Sequence, residues 1–230
     1  MTRLLVHVEG QTEETFVNEI LRSHLAGHGY HHVSARLIGN ARQRTRRGGI
    51  RSWIAVKKEI LSHLKEDPSC IATTMVDYYG LPGSGDKAWP GRSMAASLPV
   101  SEKAPTVETA LLADVASDMG SDFDTRRFVP FVVMHEFEAL LFSDCAVFAA
   151  AIGRPALQAG FQEIRNQFHT PEEINDSPIT APSKRVEELV PGYDKPLGGT
   201  LAILEIGLQK IREACPHFRN WLERLEVLGR

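Results

Sequence analysis

The chain is poor in cysteine. Its 230 residues hold 3, namely Cys70, Cys145 and Cys215. They are far apart, odd in number and never in C-x-x-C spacing. Neither a disulfide framework nor a zinc knuckle is expected, and a reducing compartment fits. Long apolar runs are lacking too. The opening run in MTRLLVHVEG is too short for the apolar segment of a signal peptide. No stretch approaches the roughly 18 apolar residues of a membrane span. The expectation is a soluble, cytoplasmic protein without a membrane partner. Internal repeats and low-complexity tracts are absent. So is a net basic charge: 26 Lys and Arg face 29 Asp and Glu, for a net −3. That excludes an all-over basic coat for nucleic acid but leaves room for a local patch.

Several catalytic signatures are missing as well. Gly80 to Ala88 (GLPGSGDKA) follows an apolar run and approximates a P-loop, but the Lys comes one residue late and Ala88 has no hydroxyl for a metal. His135-Glu136 is no zincin, because the fourth residue after His135 is Ala139. No G-x-S-x-G elbow of a serine hydrolase is present. His28, His31 and His32 have no Cys partner and read as a surface turn.

What is present suffices for a core. At 43% hydrophobic, the chain can form one large domain, or one domain with an appendage. Leu4 to Val8 reads as a buried strand, and Val33 to Ile38 and Cys70 to Val76 as two more. Between them, Thr12 reads as an N-cap, with Phe16, Val17, Ile20, Leu21 and Leu25 at helical spacing up to Gly27. Trp53 to Leu64 reads as a helix with Ile54, Ile60, Leu61 and Leu64 as its apolar stripe. This β-α-β-α-β order predicts an α/β fold, a mostly parallel sheet with helices on both faces. Residues 78–104 are rich in Gly, Pro and Ser and predict a long loop. Val107 to Met119 reads as a helix and Phe128 to Met134 as a fourth strand. Helices near 155–168, 183–190, 200–214 and 217–228 follow. The expected division is an α/β core at 1–145 and a helical extension at 146–230 packed on it.

In open α/β sheets the ligand crevice lies at the carboxyl ends of the strands. The first strand ends in Glu9, the third in Asp77, and the fourth in His135-Glu136-Phe137-Glu138. Parallel strands would deliver these acids to one edge. Converging carboxylates suit a hard cation such as Mg²⁺, which takes oxygen ligands. A single strand-end acid is ordinarily a solvated turn residue or a cap, as Asp77 would be alone; the shared position of all three clusters is the signal. A second signal is charge. Arg36, Arg42, Arg44, Arg46, Arg47, Arg51, Lys57 and Lys58 fall in one stretch without an acid. Such a segment can meet phosphates in a salt-sensitive, sequence-independent way. It could equally be a solvated loop or a surface for an acidic protein. Trp53 beside it could stack on a base, or be the first core residue of its helix.

These motifs carry a resemblance. V-E-G-Q-T-E-E-T-F at 8–16 resembles the opening motif of Toprim domains, above all those of the overcoming-lysogenization-defect (OLD) nucleases. There a strand ends in Glu-Gly and a second acid follows four residues later, which match Glu9 and Glu13. Val76-Asp77-Tyr78-Tyr79 resembles the Asp-x-Asp motif, with Asp77 at the first acid and Tyr79 in place of the second. H-E-F-E at 135–138 is similar to the further acidic motif of the OLD branch, and P-S-K-R at 182–185 to its late basic residue. The ordered set most resembles a bacterial family of Toprim-like proteins encoded beside ATPases.

The resemblance implies a Toprim-like fold and a Mg²⁺- or Mn²⁺-dependent nuclease. Glu9, Asp77 and Glu136 or Glu138 would hold the metal. Glu13 would be a further ligand or would orient a water, and Lys184 or Arg185 would meet the developing charge. Nucleic acid, DNA before RNA, is the implied substrate, contacted by Arg42, Arg44, Arg46, Arg47, Arg51 and Arg185. An ATPase of the ABC or AAA type is the implied partner and antiphage defence the setting; a homo-oligomer is left open. Tyr79 supports the alternative of a non-catalytic subunit that binds nucleic acid or regulates an ATPase.

Overall fold

The first strand, β1 (Thr2–Val8), is buried from Leu4 onward, because it is a central strand with helices on both faces of the sheet. The computed structural model describes residues 2–38, 50–174, 177 and 179–230. After β1, Gly10 turns the chain in extended conformation into α1 (Gln11–Phe16). Glu13 and Glu14 occupy its first turn, where the helix dipole favours acids. Thr12 lies inside that turn and is buried, so the cap falls on Gly10 rather than on Thr12. The helix runs on through a π turn (Val17–Leu21) into α2 (Arg22–Ala26). Phe16, Val17, Leu21 and Leu25 are buried along it, as their spacing predicts.

The remaining strands are β2 (Tyr30–Leu37), β3 (Cys70–Asp77) and two short pieces, β4 (Phe128–Val129) and β5 (Val132–Val133). The order is β2-β1-β3-β4, with β5 pairing the end of β3, and every pairing among the described residues is parallel. The predicted fourth strand is thus divided. Pro130 sits at the break, where it offers no N–H to a ladder.

On one face lie α3 (Trp53–Glu66) and α5 (Val100–Met119), with α4 (Arg92–Ala95) beside them. Trp53, Val56, Ile60 and Leu64 form the buried stripe of α3, whereas Ile54, expected in it, is 70% exposed. Ile54 is one residue from Trp53 and points around the helix from the stripe. The segment 78–104 is less of a loop than its composition predicts. It holds two 3₁₀ turns, α4 and the first turn of α5, which continues past Pro105.

The other face carries α1 and α2 together with α6 (Cys145–Ala151), α9 (Lys195–Ala214) and α10 (Pro216–Leu228). Two further helices, α7 (Gln158–Arg165) and α8 (Pro182–Leu189), flank this layer. Residues after 145 are built into the same core as the strands. Phe148, Phe161, Ile203, Phe218 and Leu222 share one buried cluster with Leu4, Val6 and Phe16. Trp221 joins the two parts. Its Nε1 donates to Thr73 Oγ1 at 2.9 Å, and its ring stacks on Phe131 at 4.5 Å. The fold is therefore an α/β sandwich with a parallel sheet flanked by helices and a helical C-terminal region.

Trp221 generates a test. Trp221→Ala removes a buried ring and the donor it offers to the Thr73 hydroxyl on β3, so urea melts should show a loss of about 3–5 kcal/mol. A loss below about 1 kcal/mol would mean that α10 is not integral to the core.

Candidate functional site

The chain leaves β1 toward β2 on one side and leaves β3 toward β4 on the other. The point between β1 and β3 is where an open α/β sheet forms its crevice. Val8 pairs with Met75, so Glu9 and Asp77 emerge there on adjacent strands. Asp77 in turn pairs with Val133, which brings the segment after β5 to the same edge. That segment is tied down by two hydrogen bonds. Asp77 Oδ1 accepts from the Phe137 amide at 2.9 Å, and the Tyr79 amide donates to the His135 carbonyl at 3.2 Å. A 3₁₀ turn (Phe137–Ser143) follows, with Glu136 as its cap and Glu138 in its first turn. Glu13 faces the edge from the first turn of α1. Glu9, Glu13, Asp77, Glu136 and Glu138 therefore share one electrostatic environment.

Into this cluster reaches a cation that the sequence does not single out. Lys195 Nζ lies 3.2 Å from Glu138 Oε2 and 3.8 Å from Glu136 Oε1. Lys195 is the first residue of α9, and Asp194 caps the helix by accepting from the Leu197 amide at 3.2 Å. A lysine at a helix N-terminus opposes the dipole, and the surrounding carboxylates offset that cost. The approach of α9 to α1 depends on Gly199, where a Cβ would stand 3.2 Å from Thr12 Cγ2. Gly80 is a second close approach: a Cβ there would stand 2.8 Å from Glu9 Oε2.

Burial is the first cause of every carboxyl shift in the cluster. It pushes the Glu9 carboxyl up, against the Asp77 backbone amide and Lys195 and with help from Glu136 and Glu138. Burial, then Glu9, Glu13, Glu138 and Glu136, hold Asp77 well above the ordinary carboxylate range. Burial also raises Glu138, with Lys195 opposing and Glu136 adding. Glu13 is pushed up to about 7, first by burial and then by Glu138 and Glu9. Burial disfavours the Lys195 charge, but Glu138, Glu136 and Asp77 outweigh it and hold the ammonium above its usual value. Glu9 Oε2 is buried without a hydrogen-bond partner among the described residues.

Carboxylate oxygens are the donor type that hard divalent cations take. An unpartnered buried oxygen on Glu9, in a cluster with more acids than cations, fits such an ion. The fit has a limit. Among the described residues, no three of these acids bring an oxygen apiece within 4.8 Å of one another; the trio that meets that measure is elsewhere. As placed, at most two would touch one ion directly and the rest would act through water, the common arrangement for Mg²⁺.

The other sequence-predicted residues lie apart. Lys184 is exposed and pairs with Glu187 at 2.7 Å; the contribution of its segment is the Ser183 amide, which donates to Glu136 Oε2 at 3.0 Å. Arg185 donates to the Thr180 carbonyl at 3.0 Å and lies over the Phe168 ring. Arg51 is paired with Glu59. Arg42, Arg44, Arg46 and Arg47 lie outside the described residues. Trp53 is core: it is 3% exposed, and its Nε1 donates to Asp114 at 2.5 Å. Tyr78 is buried beneath the Arg92 guanidinium.

A carboxyl whose pKa rises on folding binds its proton more tightly in the folded chain. Its contribution to stability is full below the unfolded value and is lost as pH rises through the folded one. Metal-free protein should therefore lose stability as pH rises from about 4.5 to about 7, the window set by Glu13. Glu13→Gln should flatten that loss in urea melts. A wild-type stability that stays flat or rises across the window would contradict the buried cluster.

The comparisons add a family. The family model described as "Domain of unknown function (DUF4276)" matches residues 8–226, a span that contains every acid of the cluster and Lys195. No curated protein and no solved structure gives a match. The match covers nearly the whole chain, and the chain belongs to the DUF4276 family.

Proposed function

We propose that this chain is a divalent-metal-dependent phosphodiesterase acting on nucleic acid. One observation carries the reading: five electrostatically coupled carboxylates gather at the sheet's topological switch point around a single lysine that pairs with two of them, with Glu9 Oε2 buried and unpartnered among the described residues. Such an excess of buried negative charge is relieved by a cation. Glu9 and Asp77, on adjacent strands, would hold Mg²⁺ or Mn²⁺, with Glu136 or Glu138 joining through water. When bound, the ion supplies Lewis-acid polarisation of a phosphate and acidifies water for attack.

The chain's own groups divide the remaining work. Glu13, in the first turn of α1 beside these acids, would take a proton from the attacking water as a general base. Lys195 replaces Lys184 as the cation for charge developing on the phosphate, since its ammonium already faces the cluster. The Ser183 amide holds Glu136 in place. The nucleic-acid substrate is supported by the basic stretch between Arg36 and Lys58. An ATPase partner and a defence role rest on the resemblance to OLD-type Toprim proteins.

A second reading has its own support. Lys195 already neutralises part of the cluster, and Tyr79 stands where the resemblance expects an acid. Both fit a subunit that binds nucleic acid without cutting it.

Incubation of purified protein with DNA and with RNA separates the two. Cleavage should appear with Mg²⁺ or Mn²⁺ and vanish with EDTA. Glu9→Ala and Asp77→Ala should each lower it by about 100-fold or more while leaving the circular dichroism unchanged. Wild-type cutting by both variants would overturn the proposal. Metal-independent binding with no cutting under any metal would establish the second reading.

A further inference from the structure

A different group of side chains has metal-ligand geometry, on the face of the molecule formed by α2 and α10. His24, His28 and Glu226 each bring one ligand atom within 4.8 Å of the others. Bonds of about 2.0–2.2 Å at tetrahedral angles place ligand atoms about 3.3 Å apart. His24 and His28 stand four residues apart, one on α2 and one just past its end, and their ring centroids are 4.6 Å apart. Glu226 comes from the far end of the chain, on α10.

His28 is held in the tautomer that coordination needs. His28 Nδ1 lies 3.1 Å from the His24 carbonyl, which can only accept. The ring proton is therefore on Nδ1, and Nε2 presents a lone pair. A backbone carbonyl that orients a histidine in this way is the usual outer partner of a metal ligand. His24 Nε2 donates to Glu226 Oε1 at 2.7 Å, so an entering ion would displace that proton, as metal binding to histidine ordinarily does. Arg212 fixes the same carboxylate, with Nη1 at 2.7 Å from Oε1 and Nη2 at 3.2 Å from Oε2. Its own charge is shared with Glu223 at 3.3 Å. Both histidines are half-buried, so the site is shielded yet open to an ion.

We propose that His24, His28 and Glu226 form a binding site for a transition-metal ion of the zinc class, which ties α2 to α10. Two imidazoles and one carboxylate are a donor set for Zn²⁺ rather than for Mg²⁺. The site needs no acid of the Glu9 cluster, so it stands or falls independently of the proposed nuclease centre. It would fasten the C-terminal helix where Tyr30 Oη already donates to the Leu225 carbonyl at 2.8 Å. The binding free energy would add to the stability of the fold.

The test is titration of metal-stripped, full-length protein with Zn²⁺ alone and with Mg²⁺ alone, by calorimetry and thermal melting. One Zn²⁺ per chain should bind at this site. At about 100-fold over Kd it should raise Tm by about 5 °C. Mg²⁺ should not compete. His28→Ala and Glu226→Gln should each weaken Zn²⁺ binding about 10-fold or more, while Glu9→Ala, His31→Ala and His32→Ala leave it intact. Should a ligand variant fail to fold, the Co²⁺ spectrum of the wild-type protein decides instead. Tetrahedral bands without a thiolate charge-transfer band fit the site. A thiolate band, retention of affinity in both ligand variants, or loss of affinity in Glu9→Ala would overturn it.

Discussion

Lys195 Nζ, 3.2 Å from Glu138 and 3.8 Å from Glu136, is the contact on which the candidate site depends. It places one ammonium among five carboxylates, of which Glu13 and Glu138 are buried. Like charges at such depth repel strongly because little water screens them. Burial first, and then the mutual repulsion that one lysine cannot neutralise, make Glu9, Glu13, Asp77 and Glu138 all hold their protons more tightly than usual. A divalent cation would answer the same imbalance without protons. The lysine also has an architectural part. It begins α9, so its ion pairs fasten the helical layer to the segment that follows β5.

The backbone makes this convergence unavoidable. Parallel β1 and β3 are neighbours, and their connections diverge at the carboxyl edge. Whatever follows Val8 and Val76 is delivered to one crevice, and the residues there are Glu9 and Asp77. Two glycines then set distances. Without a side chain at Gly80, the Glu9 carboxylate can lie against the turn after β3, and without one at Gly199, α9 can settle on Thr12. Substitution at Gly80 would displace the Glu9 carboxylate, and substitution at Gly199 would press α9 against Thr12.

Much of this was legible in the sequence, and the illegible parts have physical reasons. The parallel sheet follows from short apolar runs alternating with helical spacing, and strand ends locate Glu9, Asp77, Glu136 and Glu138. Lys195 was hidden because K-P-L-G-G reads as an ordinary helix start; only its charge, wrong for a helix N-terminus, hinted at a partner. The opposite error fell on Lys184, whose segment gives a backbone amide to Glu136 while its ammonium turns to Glu187. Gly and Pro content made 78–104 look unstructured, yet α4 begins directly after Gly91 and α5 directly after Pro99. His28 looked like a turn residue because its co-ligand Glu226 is separated from it by most of the chain, a closeness that only folding creates. His31 and His32 are exposed on β2 rather than in a turn.

The central claim is that the acid cluster is a cation site. Anomalous scattering from a Mn²⁺-soaked crystal tests it most directly. The account predicts a peak within coordination distance of Glu9 and Asp77, with Glu136 or Glu138 close by and Lys195 drawn toward the free carboxylates. A fully soaked crystal with no anomalous density at the β1–β3 edge, and Lys195 unmoved, would contradict it.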